Sequence, residues 1–338
     1  MARIPVSILT GFLGSGKTTL LNRALAHPEL AHTAVIVNEF GEIGLDHDLV
    51  QQSDDAVVLL ANGCLCCSVK SDLVSALDDL FQRRLQGTVP AFDRVVIETS
   101  GLAEPTPVIE VLISEPTISA RYAMDDVTAT VDVVNGIATL EAHLESAKQI
   151  ALADQIILTK TDMAPSQDSV DVLHARLRAL NPIAPILDSH SITSPADLLS
   201  GRSGAANPPR YIDKIMQMTD PQTSIAGRFH RIHDNRIRTF TIVRDTPVSM
   251  QVLELFLSSL ASNLGPELLR VKGLIHVAEH PEGPAVIQGA QRLLHGLTWL
   301  PAWPSDDRRT RIVFITLETA VETVPELFEL TERMARRR

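Results

Sequence analysis

The segment Gly11-Phe-Leu-Gly14-Ser15-Gly16-Lys17-Thr18 matches the spacing G-x-x-x-x-G-K-[ST] and lies between an apolar run, Val6–Thr10, and an amphipathic run carrying Leu20, Leu21, Ala24 and Leu25. The string alone arises by chance in about one chain in a hundred of this length. The flanking runs make it restrictive, because a strand feeding a glycine-rich turn into a helix is the layout of a phosphate cradle. Glycines let backbone N–H groups converge on an anion without Cβ clashes, and the helix directs its positive end at the same point. Gly11, Gly14, Ser15, Gly16 and Thr19 then belong to the cradle, Lys17 neutralises β- and γ-phosphate oxygens, and the Thr18 hydroxyl ligates Mg²⁺. The competing reading is a glycine-rich turn that happens to contain Lys-Thr.

The sequence up to residue 200 repeats the strand-helix alternation. Apolar runs at Val6–Thr10, Ala34–Asn38, Ala56–Ala61, Arg94–Glu98, Val127–Val133, Gln155–Thr159 and Ile186–Asp188 read as strands buried on both faces. Helical periodicity fills Lys17–Ala26, Ser68–Leu85, Pro105–Ile113, Ile137–Ala147 and Ser166–Leu180. Such alternation predicts an α/β P-loop NTPase domain with a mostly parallel sheet and its ligand at the C-terminal strand ends. The Gly-, Ser- and Pro-rich stretch Ser200–Arg210 reads as the start of a linker. Beyond it, strands are expected at Arg238–Val243, Leu269–Val277, Ala285–Leu294 and Arg311–Leu317, with helices at Val248–Leu264 and from about Val324 onward. The expected division is 1–200 for the nucleotide domain, 201–235 for the linker and 236–338 for a smaller α+β domain.

Two further segments suit a nucleoside triphosphate. The run Arg94-Val-Val-Ile97-Glu98 ends an apolar strand in a carboxylate that can support the Mg²⁺ shell, and Gly101 lets backbone approach a γ-phosphate. Thr159-Lys160-Thr161-Asp162 follows a strand, and a carboxylate such as Asp162 accepts both the N1–H and N2–H₂ donors of guanine. The Lys160 stem can lie along the base. GTP is therefore the preferred nucleotide, with an ATP-dependent kinase as the weaker alternative. Glu42, Asp46 and Asp48 are each able to position a hydrolytic water, and the sequence does not choose among them.

All three cysteines fall in Asn62-Gly63-Cys64-Leu65-Cys66-Cys67-Ser68. An odd, clustered set excludes a disulfide scaffold. Thiolates favour Zn²⁺, Cu(I) or Co²⁺. A closed zinc site needs four ligands, so three thiolates need completion from elsewhere or leave the site open for transfer. Glu42 is the best fourth candidate. Small buried cysteines under a loop and a redox pair are the alternatives.

Lys and Arg number 30 against 41 Asp and Glu, a net charge of −11. That balance argues against nucleic acid as a partner, since a nucleic-acid binder needs a basic face. The first apolar run is too short for a signal peptide, and no stretch reaches the roughly 18 apolar residues of a membrane span. A reducing cytoplasm is expected.

Taken together, GFLGSGKTT (Gly11–Thr19), VNEFGE (Val37–Glu42), GCLCCS (Gly63–Ser68), ETSGLAEP (Glu98–Pro105) and Thr159–Asp162 resemble the successive motifs of the CobW family of P-loop metal-handling GTPases. Val271–Gly273 and Val286–Gly289 are similar to its C-terminal domain. The resemblance implies a GTPase that cycles between GTP and GDP, binds Zn²⁺ or Co²⁺ at the CxCC loop and delivers it to a client metalloenzyme. It also implies that the loop around Glu39–Glu42 responds to the γ-phosphate. A metal or thiol-redox sensor that transfers nothing is the alternative. The oligomeric state is left open, a homodimer included. Thr159 replaces the usual Asn, Val37 replaces a Glu proposed as a metal ligand in some members, and only His230 and His233 stand where many members are His-rich.

Overall fold

The computed structural model describes residues 3–38, 69–192, 211–217, 237–294, 296–317 and 322–335. Two compact units result, Met1–Arg176 with Ala184–Asn207, and Leu177–Ile183 with Pro208–Arg338.

In the first unit β1 (Ile4–Gly11), β2 (Thr33–Asn38), β3 (Arg94–Thr99), β4 (Tyr122–Asp132), β5 (Gln155–Thr159) and β6 (Ile186–Asp188) form a parallel sheet in the order β2-β3-β1-β4-β5-β6. Among the described residues seven α-helices accompany them: α1 (Lys17–Leu25), α2 (Val69–Gln86), α3 (Thr106–Ser114), α4 (Pro116–Ser119), α5 (Gly136–Ala142), α6 (Leu144–Leu152) and α7 (Gln167–Leu180), whose end, from residue 177, counts with the second unit. Strand β1 is central because Val6, Ile8 and Leu9 are fully buried and leave it no solvent face. A helix as short as α1 is marginal by itself. Leu20, Leu21 and Ala24 anchor it in a cluster with Leu9, Val35, Val96 and Ile157. Each fully buried Leu contributes roughly 1.5–3 kcal/mol.

Two boundaries differ from the sequence expectation. The single helix expected over Ile137–Ala147 is two helices, α5 and α6, because His143 is extended (φ −128°, ψ 112°) and breaks the helical path between them. Strand β4 starts at Tyr122, not Val127, because a register shift opposite Val6 and Ile8 takes the polar pair Asp125-Asp126 into the strand. The expected strand Ala56–Ala61 lies outside the described residues.

Asp126 on that irregular stretch is 1% exposed. Its Oδ2 accepts from Thr128 Oγ1 (3.0 Å) and Gln155 Nε2 (3.4 Å). Burial, reinforced by the charges of Asp125 and Asp154, pushes its carboxyl from the ordinary 3.8 up to about 7. A raised folded-state value means the folded chain holds more protons than the unfolded chain between those pH values. Stability therefore falls as pH rises through this window. Asp126→Asn is expected to raise stability at pH 8 by on the order of a few kcal/mol and far less at pH 4.5. Urea midpoints at the two pH values test this, and an equal effect at both would refute it.

The second unit contains α8 (Tyr211–Gln217), β7 (Ile237–Arg244), α9 (Met250–Asn263), β8 (Leu268–Ile275), β9 (Ala285–Ala290), β10 (Leu293–Leu294), β11 (Thr298–Trp299), β12 (Thr310–Leu317) and α10 (Thr323–Ala335). Its antiparallel sheet runs β10-β9-β8-β12-β7, with β11 also paired to β9. Phe256 and Leu260 of α9 and Phe328 of α10 share one core with Val271, Ile312 and Phe314. The strand expected over Ala285–Leu294 is a hairpin, β9 and β10, because Gln291 adopts a left-handed conformation (φ 53°) and reverses the chain. Helix α8 falls inside the expected linker 201–235. It forms because Tyr211, Ile212 and Ile215 share a buried face, which packs on Leu274, Val286 and Val313. The Lys272 ammonium lies 3.7 Å from the Tyr211 ring centroid, a cation–π contact within this layer.

Candidate functional site

The phosphate loop leaves the central strand β1 at Gly11 and enters α1 at Lys17, so it crosses the C-terminal edge of the sheet. Gly11 has φ 142°, and a Cβ there would sit 2.6 Å from the Thr130 carbonyl oxygen of β4. No larger residue fits. Gly14 and Gly16 also have positive φ, and Gly16 caps α1. The Ser15 and Thr130 hydroxyls share a hydrogen bond of 2.6 Å, which ties the loop to β4.

Lys17 is buried, and its Nζ donates to the carbonyls of Gly11 (3.0 Å) and Phe12 (3.3 Å). The ammonium therefore lies over the loop whose N–H groups it complements. Thr18 Oγ1 donates to Glu98 Oε1 at 2.7 Å. Glu98 comes from the end of β3, is 4% exposed and stands in register with Leu9 of β1. Two oxygen donors from different elements thus meet beside the loop, a donor set that suits a hard cation such as Mg²⁺. Thr19 is exposed on the first turn of α1.

The turn after β3 is closed by the Ala103 N–H donating to the Ser100 carbonyl (3.0 Å). At its Gly101 a Cβ would fall 2.6 Å from the Leu13 nitrogen. Glycine is required there by this close approach to the phosphate loop.

The candidate base loop follows β5. Thr159 Oγ1 donates to the Ser15 carbonyl (2.7 Å) and contacts the Val131 carbonyl (3.3 Å). The residue that departs from the usual Asn therefore links this loop to the phosphate loop. Lys160 is left-handed (φ 54°), and its Nζ donates to Asp132 Oδ2 at 2.6 Å. Asp132, at the end of β4, also accepts from the Val134 N–H (2.7 Å) and Asn135 Nδ2 (3.1 Å). Burial works to raise the Asp132 carboxyl, but the bonds from Lys160, Asn135 and Val134 outweigh it and hold it below its ordinary value. The Asp162 side chain is 66% exposed, with His190 Nε2 3.8 Å away. Thr161 Oγ1 and the His190 N–H both donate to Asp188 Oδ1, at 2.9 and 2.8 Å.

The structure thus gathers Lys17, Thr18 and Glu98 into one cluster and joins Thr159 to the phosphate loop. Cys64, Cys66, Cys67, Glu42, Asp46 and Asp48 lie outside the described residues, as do His230 and His233. Among the described residues no group of three or more His, Cys, Asp or Glu side chains is placed to hold a metal ion. Thr130 and Asp132 are site-building residues that sequence reasoning missed. The available signal for Asp132 was an acid at the end of an apolar strand, the same signal that singles out Glu98.

A parallel sheet with a glycine-rich loop at its central strand, a buried Lys and a Thr–carboxylate pair defines a P-loop nucleotide-binding protein. Residues 5–188 match the family described as "CobW/HypB/UreG, nucleotide-binding domain", and residues 237–330 match the "Cobalamin synthesis protein cobW C-terminal domain". The chain belongs to the CobW family. It is 33% identical over 330 residues to the zinc chaperone YjiA of Escherichia coli K12, covering 97% of this chain and 98% of that protein. It is 28% identical to the zinc-regulated GTPase metalloprotein activator 1 of Saccharomyces cerevisiae, over 97% of this chain and 83% of that one. The crystal structure of the Zn(II)-bound YjiA GTPase from E. coli superposes with a TM-score of 0.69 at 30% identity, covering 97% and 99% of the two chains. No helix among the described residues is long and apolar enough to cross a membrane.

Proposed function

We propose that the chain is a GTP-hydrolysing metallochaperone. It binds Zn²⁺, or Co²⁺, through Cys64, Cys66 and Cys67 with Glu42 as fourth ligand, and delivers the ion to a client metalloenzyme through its C-terminal domain. The observation that carries the nucleotide half is the Thr18–Glu98 hydrogen bond of 2.7 Å beside a buried Lys17. The cargo half is supported by the clustered thiols and by the zinc chaperones and zinc-bound GTPase to which the chain is similar.

In this reading the backbone of Gly11–Thr19 cradles the phosphates and Lys17 offsets charge on the β- and γ-oxygens. Thr18 and Glu98 would hold Mg²⁺, which would supply positive charge against the charge that develops on the transferring phosphate. Gly101 brings the turn after β3 to the γ-phosphate, and Asp162 accepts the two guanine donors while Lys160, fixed by Asp132, flanks the base. The expected basal turnover is low until the metal or a client completes the site. Free thiolates need a reducing compartment, and we place the protein in the cytoplasm.

Nucleotide and metal are then coupled reciprocally. Titrating Zn²⁺ into protein loaded with a non-hydrolysable GTP analogue, and separately with GDP, is expected to show affinities differing about 5- to 150-fold. The combined Cys64→Ser, Cys66→Ser and Cys67→Ser variant should bind one fewer ion. Unchanged stoichiometry would remove the thiol site. Tight binding that ignores the nucleotide would favour a sensor over a carrier.

A further inference from the structure

Helix α6 carries a residue that neither the motifs nor the family's nucleotide reading uses. Gln149 is 0% exposed, on a helix whose other buried residues include Ala147, Ile150, Ala151 and Leu152. Its Nε2 donates to the Gly101 carbonyl at 3.1 Å and to the Ala103 carbonyl at 3.0 Å. Both partners can only accept, so the amide orientation is fixed. Its Oε1 is buried and meets no donor among the described residues. The two donor bonds are what the described neighbours take from Gln149, and a Leu or Met of similar size would supply neither.

Those donors grip one turn. The Ala103 N–H closes it on Ser100, while Gly101 presses against the backbone of Leu13 in the phosphate loop. Fixing the Gly101 carbonyl toward α6 fixes its peptide plane, so the Leu102 N–H points the opposite way. The same helix holds the neighbourhood at two more points. Lys148 pairs with Glu104 at 2.6 Å, and His143, the N-cap of α6, stacks on Phe12 of the phosphate loop at 4.4 Å between centroids.

We infer that Gln149 is a positioning residue that sets the N–H edge of the Gly101 turn for the γ-phosphate, and so sets the preference for GTP over GDP. This rests on the GTPase reading above. GDP has no γ-phosphate and does not need the turn, so loss of Gln149 separates the two nucleotides where a general loss of packing does not.

The test is a pair of variants, Gln149→Met, which removes both donors at similar size, and Gln149→Glu, which replaces them with acceptors. Dissociation constants for GDP and for a non-hydrolysable GTP analogue are measured with kcat. GDP affinity is expected to stay within about twofold, while the GTP analogue weakens and kcat falls by about 10- to 100-fold, as when a charge-facing group is misplaced by about an ångström. If Gln149→Glu does not fold, Gln149→Met decides. Equal weakening of both nucleotides, or no change in either, would overturn the assignment. A wild-type chain that neither binds nor hydrolyses GTP would instead sink the underlying reading.

Discussion

Lys17→Ala is expected to lower kcat/KM for GTP hydrolysis by about 10²- to 10³-fold or more, the usual loss when one preorganised charge-stabilising group is removed. Lys17 is the buried cation on the loop, with its Nζ held over the carbonyls of Gly11 and Phe12. Its removal takes the fixed ammonium away from the β- and γ-oxygens, whose charge the backbone N–H groups and Mg²⁺ alone would then have to meet. Arg is not a substitute, because a planar guanidinium cannot take the place of a compact ammonium seated on two carbonyls. The helix itself should survive, since Leu20, Leu21 and Ala24 supply its anchoring. Phosphate release followed over GTP concentrations from well below KM to saturation, with far-ultraviolet circular dichroism as a folding control, measures the effect. Retention of a tenth of wild-type activity would refute the role.

Asp162→Ala is expected to weaken GTP binding by about 100-fold and leave ATP binding unchanged, abolishing base preference. A carboxylate facing two guanine donors makes charge-assisted hydrogen bonds that adenine cannot. A site built on such pairing discriminates strongly against bases that lack the donors. Asp162 is two-thirds exposed, and its described neighbour, His190, is 3.8 Å away, too far for a hydrogen bond. Its loss should therefore shift folding stability by no more than about 0.5 kcal/mol. Competition of GTP and ATP for a fluorescent nucleotide decides the matter. A variant that keeps its guanine preference would move base recognition elsewhere, to the loop that carries His190.

The phosphate loop is readable from sequence because each part of it is local. Strand, glycines, Lys-Thr and helix follow one another within about twenty residues, and the backbone conformation they need is written in Gly11, Gly14 and Gly16. Glu98 is readable for a related reason, since a buried strand that ends in an acid advertises a polar sheet edge. Asp132 ends a strand in the same way, but that it fixes Lys160, and that Thr130 ties down Ser15, depends on β4 lying beside β1 and β5, a neighbourhood set by tertiary pairing. Gln149 shows the same limit more sharply. In sequence it is one polar residue on an apolar helix face, and only its burial against Gly101 and Ala103 gives it meaning. Helix α8 was obscured by composition. The Gly- and Pro-rich residues before Tyr211 suggested a linker, and only the structure shows that Tyr211, Ile212 and Ile215 share a buried face. The Ala285–Leu294 hairpin was missed because Gln291, which turns it, is not a residue that signals a left-handed conformation.

The strand order β2-β3-β1-β4-β5-β6 also governs how the protein is made. The phosphate loop hangs from β1, which ends at Gly11, yet the first strand to pair with it begins at Arg94 and the second at Tyr122. At synthesis rates of about 5–20 residues per second, a nascent chain waits on the order of several seconds with Val6, Ile8 and Leu9 unpaired. During that interval the nucleotide cradle cannot exist, and an apolar strand stays open to non-native pairing or to a holding chaperone. Ligand binding can therefore do nothing to rescue early folding, and GTP would stabilise this chain only once β4 has left the ribosome.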